Sequence, residues 1–460
     1  MDTPQLRERI AADMPATIAD LERLVRIPSM GYAGYDPTNV RASAEATRDC
    51  LVAAGITSTR LLELDGGHPA VFGQIDGPVG APTVLLYAHH DVQPEGPLEE
   101  WDTPPFEPVV REGRMYGRGT ADDKCGVAIH AAVVRAFEGR PPVTVKVVVE
   151  GEEECSTEHL PQLVQGNADL LKSDVAIVAD SGNYRAGIPT LTTSVRGVTD
   201  CVVEVRVLSQ AQHSGSYGGP IVDAYTALAR IIASLHDDDG NVAIEGLRRF
   251  TWEGFDYPEA DLRAEAGTAA GLRMIGSGSL SDRIWAGPAV AVLGIDGPRV
   301  HGSSNQIVPS ARARVSLRIA PGDDPVVAHE KLVKHLESRA PWGVELHVES
   351  GGGFEAGRGY LVDTDHPAFR AALGALSEAY GRDVLETGSG GSIPLVPLLA
   401  ETFPGIAVLL WGASDERSNI HSVNESVDLG ELERMTVAEA MFLRSLATSG
   451  MAPAGASVDR

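Results

Sequence analysis

The sequence predicts an α/β fold, in which a mostly parallel sheet flanked by helices carries an inserted α+β domain. Four apolar segments have the length and composition of buried strands: residues 83–91, 143–149, 174–179 and 405–411. Each segment contains or runs directly into histidine or carboxylate residues. Because ligands bind beyond the carboxyl ends of such strands, one edge of the sheet should collect His, Asp and Glu side chains. This arrangement is typical of a metal site.

Composition limits the possible partners. A chain of 460 residues is long enough for two or three domains. Its net charge of −26, from 38 basic and 64 acidic residues, argues against nucleic acid and anionic membrane surfaces as partners. Four cysteines without a CxxC pair fit a reducing compartment, and neither a secretory signal nor an apolar segment of membrane-spanning length is evident. We therefore expect a cytoplasmic protein.

The segments around the first buried strand read as a sheet with helices packed on it. Apolar periodicity predicts helices over 16–26, 39–54 and 125–137, and strands over 59–64 and 70–74. Asp122 and Asp123 precede the helix at 125, where helix capping is the ordinary role of such residues. The carboxylates at 152–154 are equally consistent with a solvated charge run or a site.

From about residue 196 the pattern changes to alternating strands and two helices, without further acidic clusters. Strands are predicted at 196–207, 289–295, 311–319 and 344–350, with helices at 220–235 and 325–337. This predicts an inserted α+β domain over 196–351, within a first domain formed by 1–195 and 352–460. A helix at 366–381 begins the return to the first domain. Periodicity predicts nothing for 237–288.

The residues expected at the sheet edge are histidines and carboxylates. They are His89, Asp91, Asp122, Glu153, Glu154, Asp180 and His421. Imidazole nitrogens and carboxylate oxygens suit Zn²⁺, with Mn²⁺ and Co²⁺ as alternatives. A pair of such ions polarises a carbonyl and activates water. His90 should point to the opposite face of its strand, and His130, on an apolar helix, is expected in the core.

Nine motifs in the sequence follow one another in the order found in a known family. They are AHHDVQP (88–94), GRGTADDK (117–124), EGEEE (150–154), VADSGN (178–183), QHSGSYGG (212–219), NQIVP (305–309), SLRIAP (316–321), GSGGSIPLV (388–396) and IHSVNES (420–426). Through them the chain resembles the co-catalytic di-zinc metallopeptidases, which include aminoacylases, succinyl-diaminopimelate desuccinylase and glutamate carboxypeptidase. The resemblance is strongest to the carnosinase-type dipeptidase branch, and it covers nearly the whole chain.

The resemblance implies two divalent ions per chain, most fittingly Zn²⁺. It makes His89 and Asp180 ligands of one ion, Glu154 and His421 ligands of the other, and Asp122 the bridge between them.

It also implies roles for residues around the ions. Asp91 would hydrogen-bond the ring of His89 and fix its tautomer. Glu153 would act as the general base that takes a proton from water and later passes it to the leaving amine. The peptide bond between Asp122 and Asp123 is expected to be cis.

For the insert, the resemblance implies a lid that also forms a homodimer. His213 would reach the partner's active site to polarise the scissile carbonyl, and Arg318 would clamp the free carboxylate of a small peptide. Further residues of the carboxylate pocket would be Gly391 and Ser392, with Asn305 and Gln306 as weaker candidates.

Three functions fit these observations to different degrees. The favoured one is a dinuclear metal-dependent hydrolase that cleaves dipeptides or small peptides with a free C-terminal carboxylate. An N-acyl- or N-carbamoyl-amino-acid amidohydrolase on the same scaffold is the nearest alternative, and the long irregular segment of the insert and the GGSIP loop favour the dipeptidase over it. The sequence departs from the family pattern at Cys125, at 155–157 and at Ala211, which leaves the metal ligands intact and bears on substrate specificity. A non-catalytic metal- or peptide-binding protein is disfavoured by Glu153, which binding alone does not require.

Overall fold

The computed structural model describes residues 3–349 and 356–448. The helices are α1 (Thr3–Val25), α2 (Pro37–Ala53), α3 (Lys124–Ala136), α4 (Leu160–Val164), α5 (Ala168–Leu171), α6 (Ser214–Tyr217), α7 (Ala224–Ala233), α8 (Glu259–Glu265), α9 (Pro325–Ser338), α10 (Pro367–Tyr380), α11 (Leu395–Thr402) and α12 (Leu429–Thr448). The strands are β1 (Ser58–Leu62), β2 (Ala70–Ile75), β3 (Thr83–His89), β4 (Val109–Arg111), β5 (Arg114–Tyr116), β6 (Thr144–Glu150), β7 (Val175–Val178), β8 (Thr190–Val195), β9 (Gly197–Arg206), β10 (Gln212–His213), β11 (Ala289–Asp296), β12 (Gln306–Ile307), β13 (Ser310–Ile319), β14 (Glu345–Glu349), β15 (Tyr360–Leu361), β16 (Leu385–Ser389), β17 (Ala407–Leu410) and β18 (Ser426–Asp428). A short 3₁₀-helix (Leu98–Glu100) and a π-helical turn (Asp282–Ala286) complete the regular structure of the described residues.

The chain divides into two units. The second unit comprises Ser194–Leu361 and Gly388–Pro394, and the first comprises the remainder. The first predicted boundary, after residue 195, falls close to Ser194, whereas the second, between 351 and 352, lies outside the described residues. Segment 388–394, predicted within the first domain, belongs to the second unit. There the Arg196 guanidinium donates a hydrogen bond to the carbonyl oxygen of Gly390 at 3.2 Å.

The predicted buried strands form the parallel centre of a large sheet. The strand order is β1-β2-β6-β3-β7-β17-β8-β15, and β16 also pairs with β8. The three central pairings, β6 with β3, β3 with β7 and β7 with β17, are parallel. The pairings of β1, β2, β8 and β15 toward the two edges are antiparallel. The predicted α/β class is confirmed, with parallel pairing concentrated at the centre.

Helices flank this sheet, and two of them differ from prediction at their starts. Helix α1 begins at Thr3 instead of residue 16, because buried Leu6 and Ile10 extend its apolar face and Pro15 lies on its exposed side. Helix α2 is capped by Asp36, whose side chain accepts a hydrogen bond from the backbone N–H of Thr38 at 3.0 Å. No described helix combines the length and apolar character needed to cross a membrane.

The second unit is built on an antiparallel sheet with strand order β11-β13-β9-β14, against which α7 and α9 pack. The predicted helix 220–235 is shorter, because Asp223 caps it immediately before Ala224. In the segment without periodicity, Trp252 and Trp285 meet edge to face with ring centroids 4.9 Å apart. Aromatic packing therefore orders a region that periodicity could not describe.

Candidate metal centre

Four adjacent parallel strands of the first unit deliver polar side chains to one edge. Strand β3 ends at His89, and β6 ends just before the three carboxylates at 152–154. Strand β7 ends two residues before Asp180, and β17 leads into the loop that contains His421. Because these strands run in the same direction, their carboxyl ends lie side by side, as the sequence predicts for a ligand site.

Asp122 lies between two histidines. Its Oδ1 is 2.9 Å from Nε2 of His89, and its Oδ2 is 3.0 Å from Nε2 of His421. The following residue, Asp123, occupies the N-cap position of α3 but makes no capping hydrogen bond through its side chain, and the peptide bond joining the two aspartates is cis. The ordinary capping role is therefore wrong for Asp123, and the Asp122 carboxylate is presented to imidazole groups.

The remaining predicted ligands surround this aspartate. Potential ligand atoms of His89, Glu153 and Asp180 lie within 4.8 Å of one another, as do those of His89, Asp122 and Glu154. Nε2 of His421 is also 3.2 Å from Oε2 of Glu154. The side chain of His421 is 54% exposed, so the centre remains accessible from solvent.

The charge of the cluster fits divalent cations. Burial, followed by the charge of Asp180, raises the pKa of the Glu153 carboxyl well above its ordinary value. Burial and the neighbouring Asp122 raise the pKa of Asp180 to about 7. Asp122 and Glu154 together raise the pKa of His421 to about 10. Enclosed carboxylates require compensating positive charge, and their oxygens together with imidazole nitrogens are the donors that Zn²⁺, Mn²⁺ and Co²⁺ accept.

Asp91 connects the histidine to the carboxylate segment. Nδ1 of His89 lies 3.1 Å from the backbone oxygen of Asp91 and 3.5 Å from its carboxylate. That carboxylate accepts hydrogen bonds from the backbone N–H groups of Glu153 at 3.2 Å and Glu154 at 3.0 Å. Asp91 therefore contacts the ring of His89, most closely through its backbone oxygen, and its carboxylate fixes the backbone that carries Glu153 and Glu154. That its carboxylate fixes the tautomer of His89 stays a prediction.

Glu425 supports the centre and has no role in the sequence predictions. Its buried carboxylate accepts hydrogen bonds from the backbone N–H groups of Gly119, Ala121 and Asp122 at 2.9–3.1 Å. It also pairs with the buried guanidinium of Arg118 at 2.7 Å. Glu425 lies within the quoted motif IHSVNES, but the pairing joins residues about three hundred positions apart. A single sequence does not reveal such a pair.

Two histidines expected outside the centre are buried elsewhere. Nε2 of His90 is 3.0 Å from the backbone oxygen of Pro69, and burial lowers the pKa of this imidazole to about 4. Nδ1 of His130 is 2.8 Å from the carboxylate of Glu439 in the interior. Both side chains are fully buried, so the prediction that His130 lies in the core is confirmed.

The other predicted site residues lie in the second unit. Arg318 donates a hydrogen bond from Nη1 to Oγ of Ser392 at 3.2 Å, which joins two predicted carboxylate-binding residues. The backbone N–H of Gly391 donates to Oγ of Ser389 at 3.2 Å. Arg196 was not predicted, although burial and then the charge of Arg318 lower its pKa to about 10. A second guanidinium therefore lies near the predicted pocket.

His213 and Asn305 are neighbours in this unit. The backbone oxygen of Asn305 accepts a hydrogen bond from the N–H of Ser214 at 3.0 Å. Nδ1 of His213 accepts one from the N–H of Gly215 at 3.1 Å, and strand β10 pairs His213 with Gln306. The His213 side chain is exposed. Its imidazole is therefore accessible from solvent.

Comparisons with known proteins agree with this geometry. The model of Peptidase family M20/M25/M40 matches residues 85–445. A cysteinylglycine-S-conjugate dipeptidase of Corynebacterium striatum is 38% identical over 438 residues, which is 92% of this chain and 95% of the relative. The solved structure of the dipeptidase Dug1p from Saccharomyces cerevisiae superposes with a TM-score of 0.82 at 23% identity, covering 98% of this chain and 99% of the other. Human carnosine dipeptidase 1 gives 0.80 at 21% identity, covering 97% and 99%.

This protein is a metallopeptidase. Its histidines and carboxylates meet at one sheet edge, and the peptidases to which it is similar span nearly the whole chain. The chain belongs to peptidase family M20/M25/M40, since the family model matches well over half of its length. The resemblance inferred from the ordered motifs is confirmed.

Proposed function

We propose that this enzyme hydrolyses the amide bond of dipeptides or small peptides that carry a free C-terminal carboxylate, using two divalent cations per chain. The observation that carries the proposal is the position of Asp122, whose two oxygens face two different histidines. A carboxylate so placed can bridge two cations. Bound there, the cations would polarise the scissile carbonyl and activate a water molecule.

The five proposed metal ligands are those that the resemblance implies. His89 and Asp180 would hold one ion, Glu154 and His421 the other, and Asp122 both. Zn²⁺ suits this set of nitrogen and oxygen donors, and Mn²⁺ and Co²⁺ are the alternatives.

Glu153 is the proposed general base. The residue is half-buried, and burial of its carboxyl together with the charge of Asp180 raises the pKa and favours the protonated form. A base must accept a proton from water and then release it to the leaving amine, and a raised pKa favours its uptake. Glu154, by contrast, accepts a hydrogen bond from Gln93 at 2.7 Å and faces His421, which suits a metal ligand.

Arg318 and Ser392 are the proposed partners of the substrate carboxylate, together with Gly391 and Asn305. The planar fork of a guanidinium matches a carboxylate in two parallel hydrogen bonds. Support comes from the contact between Arg318 and Ser392 and from the neighbouring charge of Arg196. A dipeptide named in the relatives' descriptions, such as Cys-Gly or β-Ala-His, has such a carboxylate.

We further propose that the inserted domain is a lid that forms a homodimer, in which His213 serves the partner's active site. Strand β11 lies at an edge of the second unit's sheet, and its Leu293 and Ile295 side chains are 58% and 57% exposed. An edge strand with exposed apolar side chains is suited to pairing with a second copy. The free cysteines among the described residues fit the proposed cytoplasmic location.

One experiment tests the reaction and the metals together. Metal-reconstituted protein should contain at least two divalent ions per chain and lose activity on chelation. It should cleave Cys-Gly and β-Ala-His dipeptides faster than N-acetyl- and N-carbamoyl-amino acids, while Glu153→Gln serves as the inactive, metal-loaded control. A content of at most one ion would contradict the dinuclear site, and preferred cleavage of the acyl substrates would favour the amidohydrolase.

A second experiment tests the dimer. If each active site combines Glu153 of one chain with His213 of its partner, neither Glu153→Ala nor His213→Ala should be active alone. After dissociation and random reassociation, half the dimers are mixed, and each mixed dimer has one intact site, so about a quarter of all sites should recover. Absence of recovery in a mixture shown by mass spectrometry to contain heterodimers would refute the exchange.

A further inference from the structure

A second group of potential metal ligands lies in the first unit, on the segment that carries the proposed catalytic carboxylates. We call His68, Glu152 and Cys155 the rear cluster. A ring nitrogen of His68, a carboxylate oxygen of Glu152 and Sγ of Cys155 all lie within 4.8 Å of one another. None of these residues is among the proposed catalytic ligands. Cys155 begins the CST segment, where the sequence departs from the pattern of the family that it resembles.

Glycines give the rear cluster the space it occupies. A Cβ atom at Gly31 would lie 2.5 Å from Sγ of Cys155 and 3.3 Å from the ring of His68. A Cβ atom at Gly67 would lie 2.9 Å from Oε2 of Glu152. A side chain at either position would therefore require polar groups of the cluster to shift.

The ligands of the rear cluster are oriented by further hydrogen bonds. The backbone N–H of His68 donates to Oε1 of Glu152 at 3.0 Å, and Nδ1 of His159 is 2.8 Å from Oε2 of the same residue. Nε2 of His68 is 3.2 Å from the carbonyl oxygen of Gly31. A carbonyl can only accept, so Nε2 carries the proton in this contact and Nδ1 is the unprotonated nitrogen of the neutral ring. Hydrogen bonding of this kind around histidine and carboxylate ligands is typical of metal sites.

We propose that the rear cluster binds one divalent cation through His68, Glu152 and Cys155, and that Zn²⁺ is the ion it fits best. Nitrogen, oxygen and thiolate donors together suit Zn²⁺, whereas Mg²⁺, Ca²⁺ and Mn²⁺ favour oxygen. The thiol proton of Cys155 is released to solvent when the Zn–S bond forms. Glu152 is almost fully buried, at 5% exposure, so the cation also compensates an enclosed carboxylate.

This cation would stabilise the segment that presents Glu153 and Glu154. The cluster joins the chain at His68 to residues 152 and 155, which flank those two carboxylates. The hydroxyl of Tyr32, next to Gly31, donates to the backbone oxygen of Glu154. The site is therefore structural, and its occupancy would hold the catalytic carboxylates in place from behind.

Cobalt spectroscopy distinguishes this site from the catalytic pair. Co²⁺ bound to a thiolate gives a sulfur-to-metal charge-transfer band in the near ultraviolet, whereas Co²⁺ held by imidazole and carboxylate groups gives none. The full chain loaded with Co²⁺ should show this band. Cys155→Ala should lose it and contain one ion fewer per chain by elemental analysis. The matched control Cys201→Ala removes a thiol of the second unit and should keep both the band and the ion.

The outcomes separate this proposal from the catalytic one. If Cys155→Ala folds poorly, His68→Gln provides a second variant, in which the charge-transfer band is expected to weaken or vanish. A Co²⁺-loaded native chain without the band, or a band that persists in Cys155→Ala, would overturn the proposal. If the catalytic proposal were wrong, the native chain would contain fewer ions in total, but Cys155→Ala would still contain one ion fewer than the native chain.

Discussion

Replacing Glu425 with glutamine should destabilise the protein and displace its central aspartate. The native carboxylate accepts hydrogen bonds from the N–H groups of Gly119, Ala121 and Asp122 and pairs with Arg118. Glutamine has nearly the same size but only one accepting oxygen, so its amide group must face at least one of these donors. The guanidinium of Arg118, 2% exposed, also loses its charged partner.

The magnitude follows from burial. Removing one partner of a buried ion pair costs about 3–5 kcal/mol, because the remaining charge is enclosed without compensation. Arg118 keeps a hydrogen bond to the backbone oxygen of Pro94 at 3.1 Å, which places the expected loss toward the lower end of that range. Because Asp122 is held through its backbone N–H by Glu425, metal affinity should fall as well.

Equilibrium urea denaturation of the metal-free protein measures the first effect, and metal titration measures the second. The matched control is Glu259→Gln, which removes an exposed partner of Arg263 and should cost at most about 1 kcal/mol. If Glu425→Gln were no more destabilising than this control, the carboxylate would not be the support that the hydrogen bonds indicate.

Three further predictions concern the site and its surroundings. Glu153→Gln should lower kcat by about 10²–10⁴-fold with metal content unchanged, whereas Asp122→Asn should lose metal. If the Glu153 variant also lost metal, Glu153 would be a metal ligand and Glu154 the general base. C-terminal amides should be poorer substrates than the corresponding acids, and Arg318→Met should remove most of that preference, as relative kcat/KM values would show. Burial raises the pKa of Glu150 to about 8. Between pH 4.5 and 8 the folded state therefore binds more protons than the unfolded state, so the native protein loses stability as the pH rises through this range. The free energy of unfolding of Glu150→Gln, relative to that of the native protein, should therefore rise by up to about 1.4 kcal/mol per pH unit over this range. If urea denaturation gave the same difference between the two proteins at pH 5 and at pH 8, this prediction would be refuted.

The sequence was most informative where a local pattern determines the structure. The four apolar segments end in polar residues, and they form adjacent parallel strands that place His89, Asp180 and His421 at one edge. Strand order is a long-range property and was not predicted, but the chemistry of the terminal residues indicated that the four segments share one edge of one sheet, because a metal site requires its ligands to meet. The predicted ligands therefore converge in the structure.

Long-range contacts were not visible in this way. Glu425 and Arg118 are neighbours only in the folded chain, and each reads locally as an ordinary charged residue. Likewise, the sequence does not reveal that the charge of Arg318 acts on Arg196 and lowers its pKa. Helix starts were missed where one residue carried a misleading signal: Pro15 indicates a helix beginning, but it lies on the exposed side of a helix that had already begun. Periodicity reports which face is buried, and it does not report which partner buries it.

The run Glu152–Glu154 shows how three like charges can remain adjacent in a structured segment. Glu152 turns to the rear cluster, where His159 and the backbone of His68 contact its two oxygens. Glu153 and Glu154 contribute to the central cluster, and Asp91 holds both of their backbone N–H groups. Repulsion within the run would favour an open, solvated segment if these side chains had no cationic partners. If a cation lies on each side, as proposed, it would offset that repulsion, and loss of metal from either site should loosen the segment between them.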